Sequence, residues 1–234
     1  MLEGLKKAVY EENVRLFRSG LAVLTWGNVS GFDEETGLVV IKPSGVDYDS
    51  MKSGDMVVVS LDGDVVEGKL RPSSDTRTHI QIYRNLKGVK GIAHTHSVEA
   101  VAYAQSGRDI ACYGTTHADM FHGPIPCTRL LSEEEVSKDY EENIGNVIVE
   151  TLHSRDAVAC HGVLVAGHGP FTWGGSVKSA VDTAIALEAV ARMARLTEQI
   201  KPDAIPIPDY VAKKHYFRKH GDGAYYGQRL GNRV

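Results

Sequence analysis

Cysteine is scarce. The three in 234 residues, Cys112, Cys127 and Cys160, include no Cys-x-x-Cys pair, which excludes a disulfide framework and a thiolate zinc cluster. An odd, sparse set of thiols fits a reducing compartment. The opening MLEGLKKAVYEENVRLF also lacks the apolar core of a secretory signal, so a cytoplasmic protein is expected. No apolar run approaches the ~20 residues that span a bilayer, and no membrane partner is expected. Basic charge is lacking too. Lys and Arg number 26 against 30 Asp and Glu, a net −4, which argues against nucleic acid as a partner. Repeats, low-complexity tracts and linkers are absent from the first 200 residues. Three of the eight prolines fall in KPDAIPIPD (201–209). This divides the chain into one domain over 1–200 and a basic, aromatic C-terminal extension over 201–234.

Periodicity supplies the elements. Leu2, Leu5, Val9, Leu16 and Phe17 recur at helical spacing ahead of Gly20. NVSGF and LVVIKPSG flank a turn-rich stretch as one hairpin, and DMVVVSLDGDVVEG folds over its Asp-Gly as another. DTRTHIQIYRNL reads as a helix, GIAHTH as a strand, and VEAVAYAQSG as a short helix ending at Gly107. Ser132 and Glu135 have capping-box spacing at the head of a helix running to about His153. HGVLVAGHGPFTWG reads as a buried strand entering a glycine-rich turn. Val177, Val181, Ala184, Leu187, Val190 and Ala194 line one long amphipathic helix. Hairpins mixed with helical crossovers predict an α/β chain of the α+β type, with a largely antiparallel or mixed central sheet flanked by helices on both faces.

The chemistry begins in GIAHTHS. Residues two apart on a strand share a face, so His94 and His96 point together and can grip one divalent ion if other ligands converge. Alone the pair fits ordinary structural histidines equally well. His168 follows a second apolar run in GVLVAGHGP, between glycines that allow close backbone approach. Three strand-end histidines resemble an open metal site with room for a substrate oxygen. Asp75 can be a fourth ligand, a support for the ligands, or simply a helix cap. Three small-residue loops, TWGNVSG, KPSGVD and RPSSDT, are suited to an anion. They offer backbone N–H groups, the side chains of Asn28, Ser44, Ser73 and Ser74, and the charge of Lys42.

LTWGNVS, IKPSGVDY, PSSDT-TH, HTHS, GTTHAD, IPCTR, GNVIVET, GVLV--HGPF-WG and KHYFRKHG--AYYGQ together resemble the class II aldolase family, most nearly its branch of ribulose-phosphate 4-epimerases. The likeness runs from the first helix to about Gln228. It implies one divalent ion per subunit, zinc first and manganese or cobalt as alternatives, with His94, His96, His168 and Asp75 as ligands. It implies a phosphorylated ketopentose as partner. L-ribulose 5-phosphate and D-xylulose 5-phosphate would interconvert by breaking and remaking C3–C4, the metal serving as Lewis acid for the enediolate. Asp119 and Tyr226 match the acid–base pair on the two faces of the aldehyde, the tyrosine coming from a neighbouring subunit. Gly27, Asn28, Ser44, Gly45, Ser73 and Ser74 match substrate and phosphate contacts, with Lys42 and His215 assisting. A homo-oligomer, most simply a four-fold ring, is implied. An aldolase acting on a deoxyhexulose 1-phosphate such as L-fuculose phosphate is the alternative, and Asp75 in place of a glutamate weighs against it. A non-catalytic adducin-head-like module would lack the three histidines. Gly167 departs from the pattern, standing where a polar residue is expected. So do LHSRDAVACHG and the terminal RLGNRV.

Overall fold

The structure, a computed structural model, describes residues 2–153, 160–220 and 223–226. The RLGNRV end and the whole SRDAVA stretch lie outside the described residues. Runs of β-branched residues build one sheet from β1 (Asn28–Asp33), β2 (Leu38–Ile41), β3 (Val57–Ser60), β4 (Val65–Glu67), β5 (Gly91–His94), β6 (Gly162–Val165) and β7 (Gly169–Gly174). Its order is β4-β3-β2-β1-β5-β7-β6, and every neighbouring pair is antiparallel.

Successive side chains on a strand face opposite ways. Val39, Val57, Val59, Ile92 and Trp173 accordingly join one core, while Val29, Val40, Val58 and Ala93 join the other. Helices α1 (Glu3–Arg18) and α7 (Val177–Ile200) close the second face. Helices α2 (Thr76–Asn85) and α6 (Tyr140–Leu152) close the first. The fold class is the expected one: an antiparallel sheet between two helical layers. With both faces covered, β2 and β3 read as unbroken apolar runs rather than alternating ones. Among the described residues no helix is long and apolar enough to cross a membrane.

Two expectations need correction. The segment from Ser132 is two helices, α5 (Glu133–Ser137) and α6, because Asp139 takes a left-handed φ of 53° between them. The Asn143 amide donates to the Lys138 and Glu135 carbonyls across the break. The capping box is present as expected: the Glu135 amide donates to Ser132 Oγ, and the Ser132 amide to the Glu135 carboxylate. Second, GVLVAGHGPFTWG is a hairpin rather than a strand ending in a turn. The chain reverses at Ala166–His168 and returns as β7, which lies inside the sheet between β5 and β6. Pro170 and two glycines hid that strand, since neither residue favours one. The proline-rich start of the C-terminal extension runs without helix or strand to Pro208. Then α8 (Asp209–Lys219) forms and packs on α4 (Thr115–Ala118), burying Ala212 and Tyr216.

Asn13 on α1 fixes the start of β1. Its Nδ2 donates to the Val29 carbonyl at 3.1 Å, and its Oδ1 accepts from the Val29 amide at 2.9 Å. The paired part of β2 stops opposite Ser30, so at Val29 a side chain stands in for a strand. Unpaired amide groups in a core are costly, and Asn13, fully buried, satisfies both.

Candidate active site

The centre forms where three strands end together. Asn28 at the start of β1 pairs with His94 at the end of β5, and His94 pairs with Phe171 on β7. The His94 ring lies flat on Phe171, with centroids 4.1 Å apart and planes 15° apart. Its Nδ1 donates to the Pro170 carbonyl at 2.9 Å, which leaves Nε2 with a lone pair. His96 follows in the loop before α3 (Val98–Ser106), and His168 comes from the β6–β7 turn. Ligand atoms of the three imidazoles lie within 4.8 Å of one another.

Two glycines explain the approach of His168. A Cβ on Gly169 would meet the Thr95 carbonyl oxygen at 2.7 Å, so the turn reaches the end of β5 only with glycine there. Gly167, the departure from the family pattern, has φ of 72°, and His168 N–H donates to the Val165 carbonyl to close the turn. That backbone is natural to glycine and costly for other residues.

The residues fit a metal ion. His94 Nε2 and His168 Nδ1 are buried with no hydrogen-bond partner, an arrangement that is expensive unless something else accepts their lone pairs. Burial pushes His94 down to about 3, and lowers His96 and His168 as well, so all three are neutral imidazoles at neutral pH. Neutral rings are what a metal requires. Asp75 sits at the N-cap position of α2, yet its side chain caps nothing there. One carboxylate oxygen accepts instead from Asn28 Nδ2 at 2.6 Å and lies 4.0 Å from His94 Nε2. Burial opposes its charge, yet its pKa is held down, with the hydrogen bond from the Asn28 amide among the causes. The helix-cap reading of Asp75 therefore fails in the geometry, which turns the carboxylate toward the histidines.

A cavity of about 380 Å³ opens on this centre. It gathers Gly27, Asn28, Lys42, Ser44, Gly45, Ser73, Ser74, Asp75, His96 and His168 from three loops and two strand ends. Three of the expected anion donors turn out to have other work. The Ser44 amide donates to the Arg71 carbonyl and the Ser73 amide to the Lys42 carbonyl, stitching the KPSG and PSSD loops together. Lys42 is almost wholly buried, and its ammonium donates to the Val46 carbonyl at 2.8 Å and that of Pro43 at 3.3 Å. Burial lowers it to about 8.

The cavity wall also includes Thr25, Trp26, Tyr140 and Glu141, which sequence reasoning did not single out. Trp26 stood in the quoted TWGNVS stretch. Tyr140 and Glu141 carried no local signal, since they reach the cavity through the packing of α6 on α2. A Cβ on Gly145 would come within 2.4 Å of Gln81 Cβ there, and Thr78 Oγ1 donates to the Glu141 carbonyl at 2.5 Å.

Asp119, His215 and Tyr226 are not in that cavity. They form a second cluster within the same chain, where α4 meets α8. The Asp119 carboxylate accepts from Arg218 at 2.6 and 2.9 Å and from His215 Nδ1 at 3.0 Å, with Lys219 at 3.5 Å. Burial would raise its pKa, but the hydrogen bonds from Arg218 and His215 and the charges of Lys219 and Arg218 outweigh burial and hold it low. The Tyr226 ring lies over Lys219 at 4.3 Å and over Arg218 at 4.9 Å.

Three imidazoles converge where central strands of the sheet end, beside serine- and glycine-lined loops, in an arrangement that could hold a metal ion. The class II aldolase and adducin N-terminal domain family matches residues 7–195, and the chain belongs to it. Among curated relatives, an L-ribulose-5-phosphate 4-epimerase, UlaF, of Salmonella paratyphi A is 54% identical over 228 residues, covering 97% of this chain and all of that protein. Among solved structures, an L-fuculose 1-phosphate aldolase superposes with a TM-score of 0.79 at 23% identity, over 92% of this chain and 95% of its own. A second L-fuculose 1-phosphate aldolase, from Glaciozyma antarctica PI12, gives 0.75 at 20% identity, over 95% of this chain and 84% of its own. At these identities the two structures show a shared fold.

Proposed function

We propose that this chain is a metal-dependent 4-epimerase interconverting L-ribulose 5-phosphate and D-xylulose 5-phosphate by retro-aldol cleavage and re-formation of C3–C4. The observation that carries the reading is the meeting of three neutral imidazoles and an Asn28-held Asp75 with a serine- and glycine-lined cavity of about 380 Å³. Its size suits a small phosphorylated sugar, and the 54% identity to a relative bearing that name supports the choice of substrate.

His94, His96 and His168, with Asp75 beside them, would hold the ion, and the nitrogen donors favour zinc. When bound, the metal supplies Lewis-acid stabilisation of negative charge on the substrate's oxygens. Phe171 and the Pro170 carbonyl fix the His94 ring so that Nε2 alone faces the site. Asn28 keeps Asp75 ionised. Ser44, Gly45, Ser73 and Ser74 border the phosphate end, with Lys42 beneath them. C4 carries no acidic C–H, so a base must instead take the proton of its hydroxyl while C3–C4 breaks. Asp119 is ionised and so can accept that proton. The Tyr226 hydroxyl serves the other face of the aldehyde after it has rotated.

Asp119 and Tyr226 stand outside the cavity of their own chain, and this supports a site completed between subunits of a ring-shaped homo-oligomer. In that reading the extension over 201–234 carries its residues to a neighbour's histidines. No disulfide joins the cysteines among the described residues, in keeping with a cytoplasmic enzyme.

A coupled assay for D-xylulose 5-phosphate formed from L-ribulose 5-phosphate tests the function. Turnover should vanish on exhaustive chelation and return with Zn²⁺, Mn²⁺ or Co²⁺. Full turnover in protein shown by elemental analysis to be metal-free would overturn it.

A further inference from the structure

Tyr48 belongs to neither the metal centre nor the cavity lining, yet it touches both halves of the anion-binding wall. Its hydroxyl is shared by two backbone carbonyls of the TWGN loop, Gly27 O at 2.8 Å and Trp26 O at 3.0 Å. The Lys42 ammonium, which braces the KPSG loop through the Val46 and Pro43 carbonyls, sits 4.7 Å from the centroid of the same ring. Phe17 of α1 stacks on the ring at 4.9 Å with planes 5° apart, and Tyr48 is only 3% exposed.

In a trans peptide the N–H points opposite to its own C=O. Holding the Trp26 and Gly27 carbonyls on the phenol therefore holds the Gly27 and Asn28 amides on the side away from it. Gly27 needs such a hold. Its φ is +80°, and it passes so close to β5 that a Cβ would meet the His94 carbonyl oxygen at 2.8 Å. A glycine loop without that clamp would have many other conformations available.

We propose that Tyr48 is a positioning residue for the anion end of the site, one side chain that sets the TWGN loop through its hydroxyl and the Lys42 ammonium through its ring. The inference rests on the reading that these loops take a phosphate. It predicts an effect on binding of the anion, with metal retained, because the Tyr48 hydroxyl bonds to the TWGN carbonyls and its ring meets Lys42 and Phe17.

The test is inorganic phosphate titrated into the metal-loaded full-length protein, compared with Tyr48→Phe and Tyr48→Leu. Loss of one buried hydrogen-bonding hydroxyl in Tyr48→Phe should weaken phosphate about tenfold. It should raise KM for L-ribulose 5-phosphate by a similar factor, with kcat held within about twofold and metal stoichiometry unchanged. Tyr48→Leu, which also removes the ring under Lys42, should weaken phosphate further. A merely structural residue would lower the melting temperature without dividing KM from kcat. Phosphate affinity within twofold of the unmodified protein in Tyr48→Phe overturns the proposal, as does parallel loss of metal, or failure of the unmodified protein to bind phosphate. If phosphate binds, weakens in Tyr48→Phe, and no epimerisation is found, the role of Tyr48 stands and the epimerase reading falls.

Discussion

Replacing Gly27 by alanine should damage stability and metal affinity together, and the structure separates the two causes. The first is conformational. At φ of +80° an alanine is forced into left-handed backbone, which costs about 1–2 kcal/mol. The second is a collision, since the new Cβ would sit 2.8 Å from the His94 carbonyl oxygen, where ordinary contacts begin near 3.4 Å. Overpacking of this kind typically costs about 1–3 kcal/mol. Gly37, at the far tip of the β1–β2 hairpin, provides the control. It has φ of +68° with nothing within 4 Å of its would-be Cβ, so Gly37→Ala incurs the first cost alone. A chain of this size loses about 2–4 °C of melting temperature per kcal/mol. Gly27→Ala should therefore melt several degrees below Gly37→Ala. The collision falls on the backbone of a proposed ligand, and its relief should tilt His94. Competition with a chelator of known affinity should show metal binding weakened by about 10–100-fold in Gly27→Ala, as for other changes behind a ligand, and unchanged in Gly37→Ala. Equal melting temperatures and equal metal affinities in the two variants would refute the close approach of this loop to β5.

Asp119→Asn keeps the shape of the carboxylate but cannot accept a proton, and should lower kcat about 10²–10⁴-fold while metal, measured by elemental analysis, stays bound; near-normal turnover would remove Asp119 from the chemistry. Mixing inactive His96→Ala with inactive Asp119→Asn, then unfolding and reassembling them, should restore roughly one site in four if each site draws on two chains. No recovery, with hybrid oligomers demonstrated, would place both residues in one subunit's site. Acid should destabilise the metal-free protein through its buried imidazoles. Burial holds His79 and His117 down to about 4, so an unfolded chain takes up their protons first as pH falls through 6.5. The stability from keeping them neutral is complete above that pH and drains away toward pH 4, by about 2 kcal/mol each at pH 5. Urea melts at pH 7.5 and 5.0 measure the loss, and His117→Gln should make the dependence shallower; an unchanged slope would contradict the assignment.

Much of the architecture is legible because burial leaves a period. The stripe from Val177 to Ala194 is buried throughout in α7, and the Ser132–Glu135 box closes as its spacing implies. The His94–His96 pair and the glycine-flanked His168 converge as their settings suggest. What escaped notice was decided by contacts distant in sequence. The strand after His168 carries proline and glycine, and pairing on both sides overrides their reluctance. Tyr140 and Glu141 enter the cavity only because Gly145 lets α6 settle on α2. Asp75 looks like a helix cap by position, and only the Asn28 amide from another strand shows otherwise. Lys42 reads as positive charge for a phosphate; that the fold buries it as a brace on the Val46 carbonyl has no sequence signal.

The Asn13 clamp has a consequence for how the chain can be altered. By gripping Val29 it anchors β1 at the active-site end, so Asn28 meets His94 however the opposite end of the strand is joined to β2. Changes in the length of the Asp33–Gly37 tip should therefore stay local: the clamp isolates them from the catalytic end. That tip is where a reporter peptide or an affinity handle can be inserted without retuning the enzyme. The same insertion just before Val29 would shift the chain against its clamp and carry Asn28 out of register.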